Sequence, residues 1–462
     1  MTVTTAAAPP ALSTSHRWMV LAVCSAAMFL VGLDTTIVNV ALPRLGLGLG
    51  TDIRGLEWVV DAYTIVFASL LITSGAIADR WGRRRVFQTG LITFGLASVL
   101  CALAPSIELL VSARVLQGVG ASMLSPVALA IVVNAMPDPK ERAKAIGVWA
   151  SVFGLSMAAG PVTGGALIAA FDWRAVFWIN VPIIVAALVL VAVLVPESRG
   201  QRARRLDLPG QVLLVALVSL VVGLLIEGPH VGWTSRTATI GGAVAAVLLV
   251  AFIWVESRRD DPLIDPDLFR VPSFTGAVLA ATAVFVALSL TLLLTTLYLQ
   301  NGRGWSPFTA GAATLPMAAG ATVCAPLSGL LVARVGARRP LILAGGFIAA
   351  GGLALTSMSY SFNVPLLLVA YGLLGVGVGF ANAPITNTAV NSFPPERAGV
   401  AGGTTSTARQ VGAALGIAIA GGLVAGASPD ELAAATEPGW LLVVICGLVL
   451  LAGAGMPRWR VT

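Results

Sequence analysis

Gly75-Ala-Ile-Ala-Asp-Arg-Trp-Gly-Arg-Arg-Arg-Val-Phe87 is the stretch whose reading decides the fold. It lies between two long apolar runs, Trp58–Ala78 and Val86–Leu103. A helix hairpin with so basic a turn keeps that turn in water. Lys/Arg-rich short loops remain on the cytoplasmic side of a membrane, so this loop orients every other span. A weaker copy lies far downstream, Gly329-Leu-Leu-Val-Ala-Arg-Val-Gly-Ala-Arg-Arg-Pro340. Gly75 aligns with Gly329, Gly82 with Gly336, and Arg84–Arg85 with Arg338–Arg339, which predicts two related halves. Only the first copy keeps its acid, because Asp79 aligns with Ala333.

Composition supports a membrane protein. Of 462 residues, 57% are hydrophobic and 11% charged, whereas soluble domains carry about 25% charged residues. Apolar runs of about 20 residues recur along the chain, as membrane-spanning helices require. The net charge of +7 comes without a basic tail or aromatic-basic interleaving, so nucleic acid is not an expected partner. Cys24, Cys101, Cys324 and Cys446 sit inside apolar runs without metal-ligand spacing, so no metal is expected.

Fourteen spans are predicted: 18–42, 57–78, 86–104, 107–134, 144–169, 176–195, 209–227, 238–255, 273–299, 308–333, 341–359, 365–391, 397–426 and 440–456. Residues 1–17 read as a disordered cytoplasmic N-terminus, 18–195 as a first six-helix bundle and 196–207 as a basic cytoplasmic linker. Residues 208–255 read as an inserted transmembrane hairpin, 256–272 as a cytoplasmic loop, 273–456 as a second six-helix bundle and 457–462 as a cytoplasmic tail. With His16–Arg17 inside, basic residues favour the cytoplasmic side about four to one. Both termini are therefore expected inside.

An ionisable group deep in a span is costly and marks a functional hypothesis. Asp34 in span one, Asp61 in span two, Arg114 in span four and Arg409 in span thirteen are the candidates, and every Asp and Glu from Glu256 onward is read as loop. At about 1.5 Å per residue, Asp34 lies roughly 13 Å, Arg114 roughly 10 Å and Asp61 roughly 6 Å below the outer surface. A guanidinium beside a carboxyl favours its charged form and desolvation the neutral one, so movement of Arg114 would switch the proton occupancy of Asp34. The competing reading is a static pair that fixes packing. Arg409 has no membrane acid in its own half and is expected to snorkel or to bond carbonyls.

Span five, Gly154-Leu-Ser-Met-Ala-Ala-Gly-Pro-Val-Thr-Gly-Gly165, combines small residues with Pro161. Small residues allow close helix approach in lipid and proline bends the helix, which suits a hinge or seal. Candidate cavity residues are Trp58, Tyr63, Phe67, Gln117, Met123, Trp149, Phe153, Met157, Phe285, Tyr298, Asn382 and Arg409; aromatic and methionine surfaces suit loosely specified apolar ligands. No glycine run follows a strand and no Gly-Lys-Ser/Thr element is present, so ATP is not expected as energy source.

Several of these stretches resemble known signatures. Gly75–Phe87 resembles the loop between spans two and three of the major facilitator superfamily, whose transporters are built from parallel six-span repeats. Leu33-Asp-Thr-Thr-Ile-Val-Asn-Val-Ala-Leu-Pro43 is similar to the span-one motif of its fourteen-span drug:proton antiporters. Arg114-Val-Leu-Gln-Gly118 resembles a span-four motif whose arginine is assigned to proton transfer. Gly147, Gly160-Pro161 and Gly164-Gly165 resemble the span-five antiporter motif, with Ser156 in place of one expected glycine. Asp172–Pro182 and Asp207–Gly210 match further landmarks.

The resemblance implies an all-α integral membrane protein of the major facilitator fold, with two pseudo-symmetric six-helix bundles plus an inserted hairpin. It implies proton coupling by Asp34 and Arg114, with Asp61 a further candidate. The conformational switch it implies comprises Gly75, Asp79, Gly82, Arg83, Gly160, Pro161, Gly164 and Gly165. Asp79 with Arg83 would latch the outward-open state. The expected partners are a small hydrophobic or amphipathic molecule, protons and lipid. The expected protein is a monomer in a bacterial cytoplasmic membrane, without cofactor or enzymatic activity. Multidrug members sometimes carry acids in later spans for cationic drugs; their lack here disfavours strongly cationic substrates. A dedicated exporter of one metabolite or self-made antibiotic is the alternative, and a nontransporting receptor or scaffold the second.

Overall fold

The computed structural model describes residues 13–200, 206–358, 362–393 and 395–455, and among them all regular structure is helical. The first half holds α1 (Thr14–Leu49), α2 (Ile53–Trp81), α3 (Arg83–Leu103), α4 (Ile107–Ala135), α5 (Pro139–Ala170), α6 (Ala175–Trp178) and α7 (Asn180–Leu194). A hairpin of α8 (Leu208–Val231) and α9 (Arg236–Glu256) follows. The second half holds α10 (Pro272–Leu297), α11 (Pro307–Ala313), α12 (Leu315–Val335), α13 (Arg338–Met358), α14 (Val364–Asn391), α15 (Pro395–Val424) and α16 (Leu432–Gly455). Taking α6–α7 and α11–α12 as broken single spans, 13 spans are long and apolar enough to cross a membrane. The fourteenth is α5, whose apolar part is Ala159–Ala170.

The two halves repeat one packing scheme. In the first, α1 packs on α5, α3 on α4, α2 on α4, and α3 on α7. In the second, α10 packs on α15, α13 on α14, α12 on α14, and α13 on α16, which are the same pairings six spans later once the hairpin is set aside. The contacts between halves repeat too: α2 against α15 is mirrored by α5 against α11 and α12. Gly82 and Gly336 occupy equivalent turns with φ of 113° and 77°, conformations that L side chains avoid. The aligned glycines of the basic loop and its copy therefore serve the same backbone turn.

The hairpin lies outside this repeat. Gln211 of α8 donates from Nε2 to Ser69 O (2.9 Å) and accepts from Thr73 Oγ1, which fixes α8 on α2. Helix α8 also reaches α15; α9 packs on α8 and leaves Val247, Val250 and Trp254 exposed, a surface suited to lipid.

Several boundaries differ from the predicted ones. Helix α1 begins at Thr14, capped by Ser13, and its first turn is held by His16 to Leu194 O (2.7 Å) and Arg17 to Glu141 (3.1 Å). Part of the expected disordered N-terminus is thus helical, and α1 also runs past Pro43 to Leu49. Residues 1–12, the middle of the basic linker (201–205) and the tail at 457–462 lie outside the described residues. Glu437 sits inside α16, correcting the expectation that every acid after Glu256 occupies a loop.

Candidate functional site

The deepest polar cluster of the first half forms where α1, α3, α4 and α7 meet. Asp34 and Arg114 are both fully buried, and Arg114 Nη1 donates to Asp34 Oδ2 at 2.7 Å. The two residues, expected from sequence at similar depths in neighbouring spans, are in direct contact. Arg114 Nη1 also donates to Gln117 Oε1 (2.7 Å), Arg114 Nε donates to Val59 O (2.9 Å), and the guanidinium carbon stands 4.2 Å from the centre of the Tyr63 ring. Gln117 Nε2 (2.8 Å) and Asn180 Nδ2 (3.1 Å) both donate to Asp34 Oδ1, and Ser98 Oγ accepts from the same two amides. Asp34 is therefore held by one cation and two amides, the arrangement that makes a buried ion pair tolerable.

Asn180 and Ser98 escaped the sequence reading. Asn180 lies in the Asp172–Pro182 stretch already singled out, so a buried amide in an apolar span was the available signal. Gln117 and Tyr63, expected at a cavity wall, instead belong to this cluster.

Asp61 lies on α2 apart from the pair. Both its carboxyl oxygens are buried without a hydrogen-bond partner, as is Oε1 of Glu57 one turn earlier. Sequence reasoning passed over Glu57, which stands at the predicted start of span two. Glu57 is 2% exposed because α15 covers it: a Cβ on Gly421 would collide with its carboxyl group. Arg54, on the same helix, is occupied by Glu227 of α8 at 3.1 Å.

The glycine-proline helix seals the neighbouring contact. A Cβ on Gly160 would collide with Thr36, two positions after Asp34, and one on Gly165 would stand 2.6 Å from Phe308 Cα. Gly164 abuts Ile37, and Pro161 O faces Gly311 of α11. Helix α5 thus touches α1 beside Asp34 and the second half at once. Gln300 Nε2 donates to Val40 O (3.1 Å) across the same end of the halves.

At the other end the halves part around a cavity of about 1830 Å³. Gly75, Asp79, Arg83, Arg142 and Lys144 line its mouth on the basic face, and it reaches Pro161, Phe285, Leu292 and Met317 inside. Of the predicted wall residues, Phe67, Trp149, Phe285, Asn382 and Arg409 line it. Trp58 packs on Gly223 of α8, Met123 on Gly90 of α3, and Tyr298 beside Phe362 near the opposite face, all away from the lining. The side chains of Phe153 and Met157 lie outside the described ones.

The basic loop itself is laced to the chain after α7. Asp79 Oδ1 accepts from Arg83 Nε (3.0 Å) and Nη2 (2.8 Å), Arg83 N donates to Ser198 O (2.8 Å), and Arg84 N donates to Glu197 Oε1 (3.1 Å). Among the described residues no group of three or more His, Cys, Asp or Glu is placed to hold a metal.

Comparison with known proteins agrees with this architecture. Residues 24–417 match the family model described as Major Facilitator Superfamily. The chain is 41% identical over 398 residues to the Multidrug resistance protein Stp of Mycobacterium tuberculosis, covering 86% of this chain and 74% of that protein. It is 34% identical over 432 residues to the Methylenomycin A resistance protein of Streptomyces coelicolor (93% and 89% covered). It is also 34% identical over 438 residues to the Multidrug efflux pump LfrA of Mycolicibacterium smegmatis (92% and 86% covered).

Proposed function

We propose that this chain, which belongs to the Major Facilitator Superfamily, exports hydrophobic or amphipathic small molecules of the drug and antibiotic class in exchange for protons. The observation that carries the reading is the cavity of about 1830 Å³ between two repeated halves, with its mouth lined by the basic face and α2–α15 and α5–α11 contacts joining the halves. A space of that size with mixed apolar and polar walls suits molecules that partition into membranes. Similarity to proteins named for multidrug resistance and efflux supports the same class.

The cycle is alternating access, a rocking of one bundle against the other around a central site. The positive charge of the loops at the open face supports a cytoplasmic opening. The structure then corresponds to the state that loads substrate from inside, closed outside by α2 on α15 and α5 on α11. In that state Asp34 is occupied by Arg114. Outward rocking would move α5, and with it α1 at Thr36, loosening Asp34 from Arg114 so that a proton binds. Asp61, unpartnered beneath the α2–α15 contact, is the second proton-binding candidate. The electrical part of the proton gradient supplies about 2.3 kcal/mol per charge per 100 mV. Gly75, Gly82 and the Asp79–Arg83 pair act at the mouth, where the basic loop must re-form contacts as it closes. The protein works as a monomer in the cytoplasmic membrane with no bound cofactor.

Efflux from inverted vesicles across a dye and antibiotic panel, with and without a protonophore, tests this. Protonophore-sensitive export of several unrelated compounds is expected; gradient-independent movement, or none, would refute it. A second reading, a dedicated exporter of one compound, draws support from the relative named for methylenomycin A resistance, and the same panel separates the two.

A further inference from the structure

The cavity walls differ in chemistry. Helices α2, α5 and α10 present Phe67, Leu71, Trp149, Phe285 and Leu288, whereas α14 and α15 present Asn382, Thr386, Asn387, Arg409 and Gln410. Arg409 is the charged group of the deep part. It lies fourteen positions after Pro395, the start of α15, hence roughly 21 Å along the helix and close to the bilayer centre. A cation there is expensive unless something answers it.

Little protein does. Arg409 Nη2 donates to Thr386 Oγ1 at 2.6 Å, a neutral hydroxyl, while Nε is buried without a partner. Among the described residues no carboxylate lies within ion-pair distance of Arg409. The lining carries Arg83, Arg142, Lys144 and Arg409 against one acid, Asp79, which Arg83 already engages through two donors. Asp34, Glu57 and Asp61 lie outside the lining. A ligand entering from the basic mouth therefore meets a positive field and then a guanidinium with donors to spare. The planar fork of that group fits a carboxylate in bidentate fashion, and the apolar wall opposite takes a hydrocarbon or aromatic body.

We propose that Arg409 anchors an acidic group, so that the transported class is amphipathic organic anions, carboxylates and phenolates above all, rather than amphipathic cations. This deepens the export reading and rests on it. Arg409 thereby sets specificity by direct contact with substrate.

The test uses three probes on one skeleton: 2-naphthylacetate, its methyl ester, and naphthylmethyl-trimethylammonium. Equilibrium dialysis against purified full-length protein is expected to show the carboxylate bound at least about tenfold tighter than the ammonium, the scale of one charge-assisted hydrogen bond. In Arg409→Gln the carboxylate loses about tenfold while the ester changes little; Arg409→Lys, a point charge without the fork, falls between. Absence of carboxylate binding, ammonium binding as tight as carboxylate binding, or equal loss of ester and carboxylate in Arg409→Gln overturns the proposal. The selectivity of the parent protein needs no variant, so a misfolded substitution does not blunt the test. Proteoliposomes with an imposed proton gradient separate the two levels: export of the ammonium alone keeps the export reading and refutes the anchor. Selective carboxylate binding with no probe transported supports the anchor and removes the export reading.

Discussion

Replacing Arg114 by glutamine removes three bonds of the guanidinium, 2.7 Å to Asp34 Oδ2, 2.7 Å to Gln117 Oε1 and 2.9 Å to Val59 O, and its stacking on Tyr63. Asp34 keeps only the amides of Gln117 and Asn180. Leaving a buried carboxylate without its cation costs about 3–5 kcal/mol. Arg114→Gln should therefore melt well below the parent protein, measured by tryptophan fluorescence in detergent. Arg114→Lys, which keeps the charge without the planar fork, should fall between the two. Melting of Arg114→Gln at the parent temperature, or an equal loss in Arg114→Lys, would refute an energetically engaged charge pair.

Other substitutions probe other contacts. Gly160→Ala drives a methyl into Thr36, and overpacking of this kind costs about 1–3 kcal/mol; export should fall while assembly in the membrane persists, checked by efflux against expression level. Gly82→Ala must adopt φ near 113° and meets Glu197 at 2.7 Å, so a loss of about 1–3 kcal/mol is expected in thermal melting. Asp79→Asn breaks a partly exposed pair, worth about 0.2–1 kcal/mol in stability; melting should scarcely move while export falls steeply, and a proportionate loss of both would make the pair structural. Asp61→Asn should lower the number of protons entering per exported molecule, read from the substrate gradient sustained at a fixed proton gradient, and an unchanged ratio would assign Asp61 to packing.

The spans were legible because lipid imposes a length and an apolar composition on each one, and the repeat was legible because Gly82 and Gly336 serve the same turn. The Asp34–Arg114 contact could be anticipated from two heights, since a charge deep in an apolar run needs a partner. Its amide partners could not: Asn180 and Ser98 approach from α7 and α3, and nothing in a sequence gives the rotation of those helices. The same limit explains the cavity. Trp58 and Met123 share the chemistry of Trp149 and Phe285, yet face α8 and α3, because helix rotation decides which side of a uniformly apolar span is enclosed. Glu57 was hidden for a different reason. Its burial depends on Gly421, more than three hundred positions away, and the inserted hairpin beside it lies outside the repeat that guided the reading.

Proton movement in proteoliposomes holding purified Asp34→Asn protein tests the central claim most directly. A pH-sensitive dye trapped inside should report substrate-driven proton flux for the parent protein and none for the variant, while substrate binding by the two is alike. Undiminished proton flux through Asp34→Asn, with substrate accumulating as in the parent protein, would contradict the account.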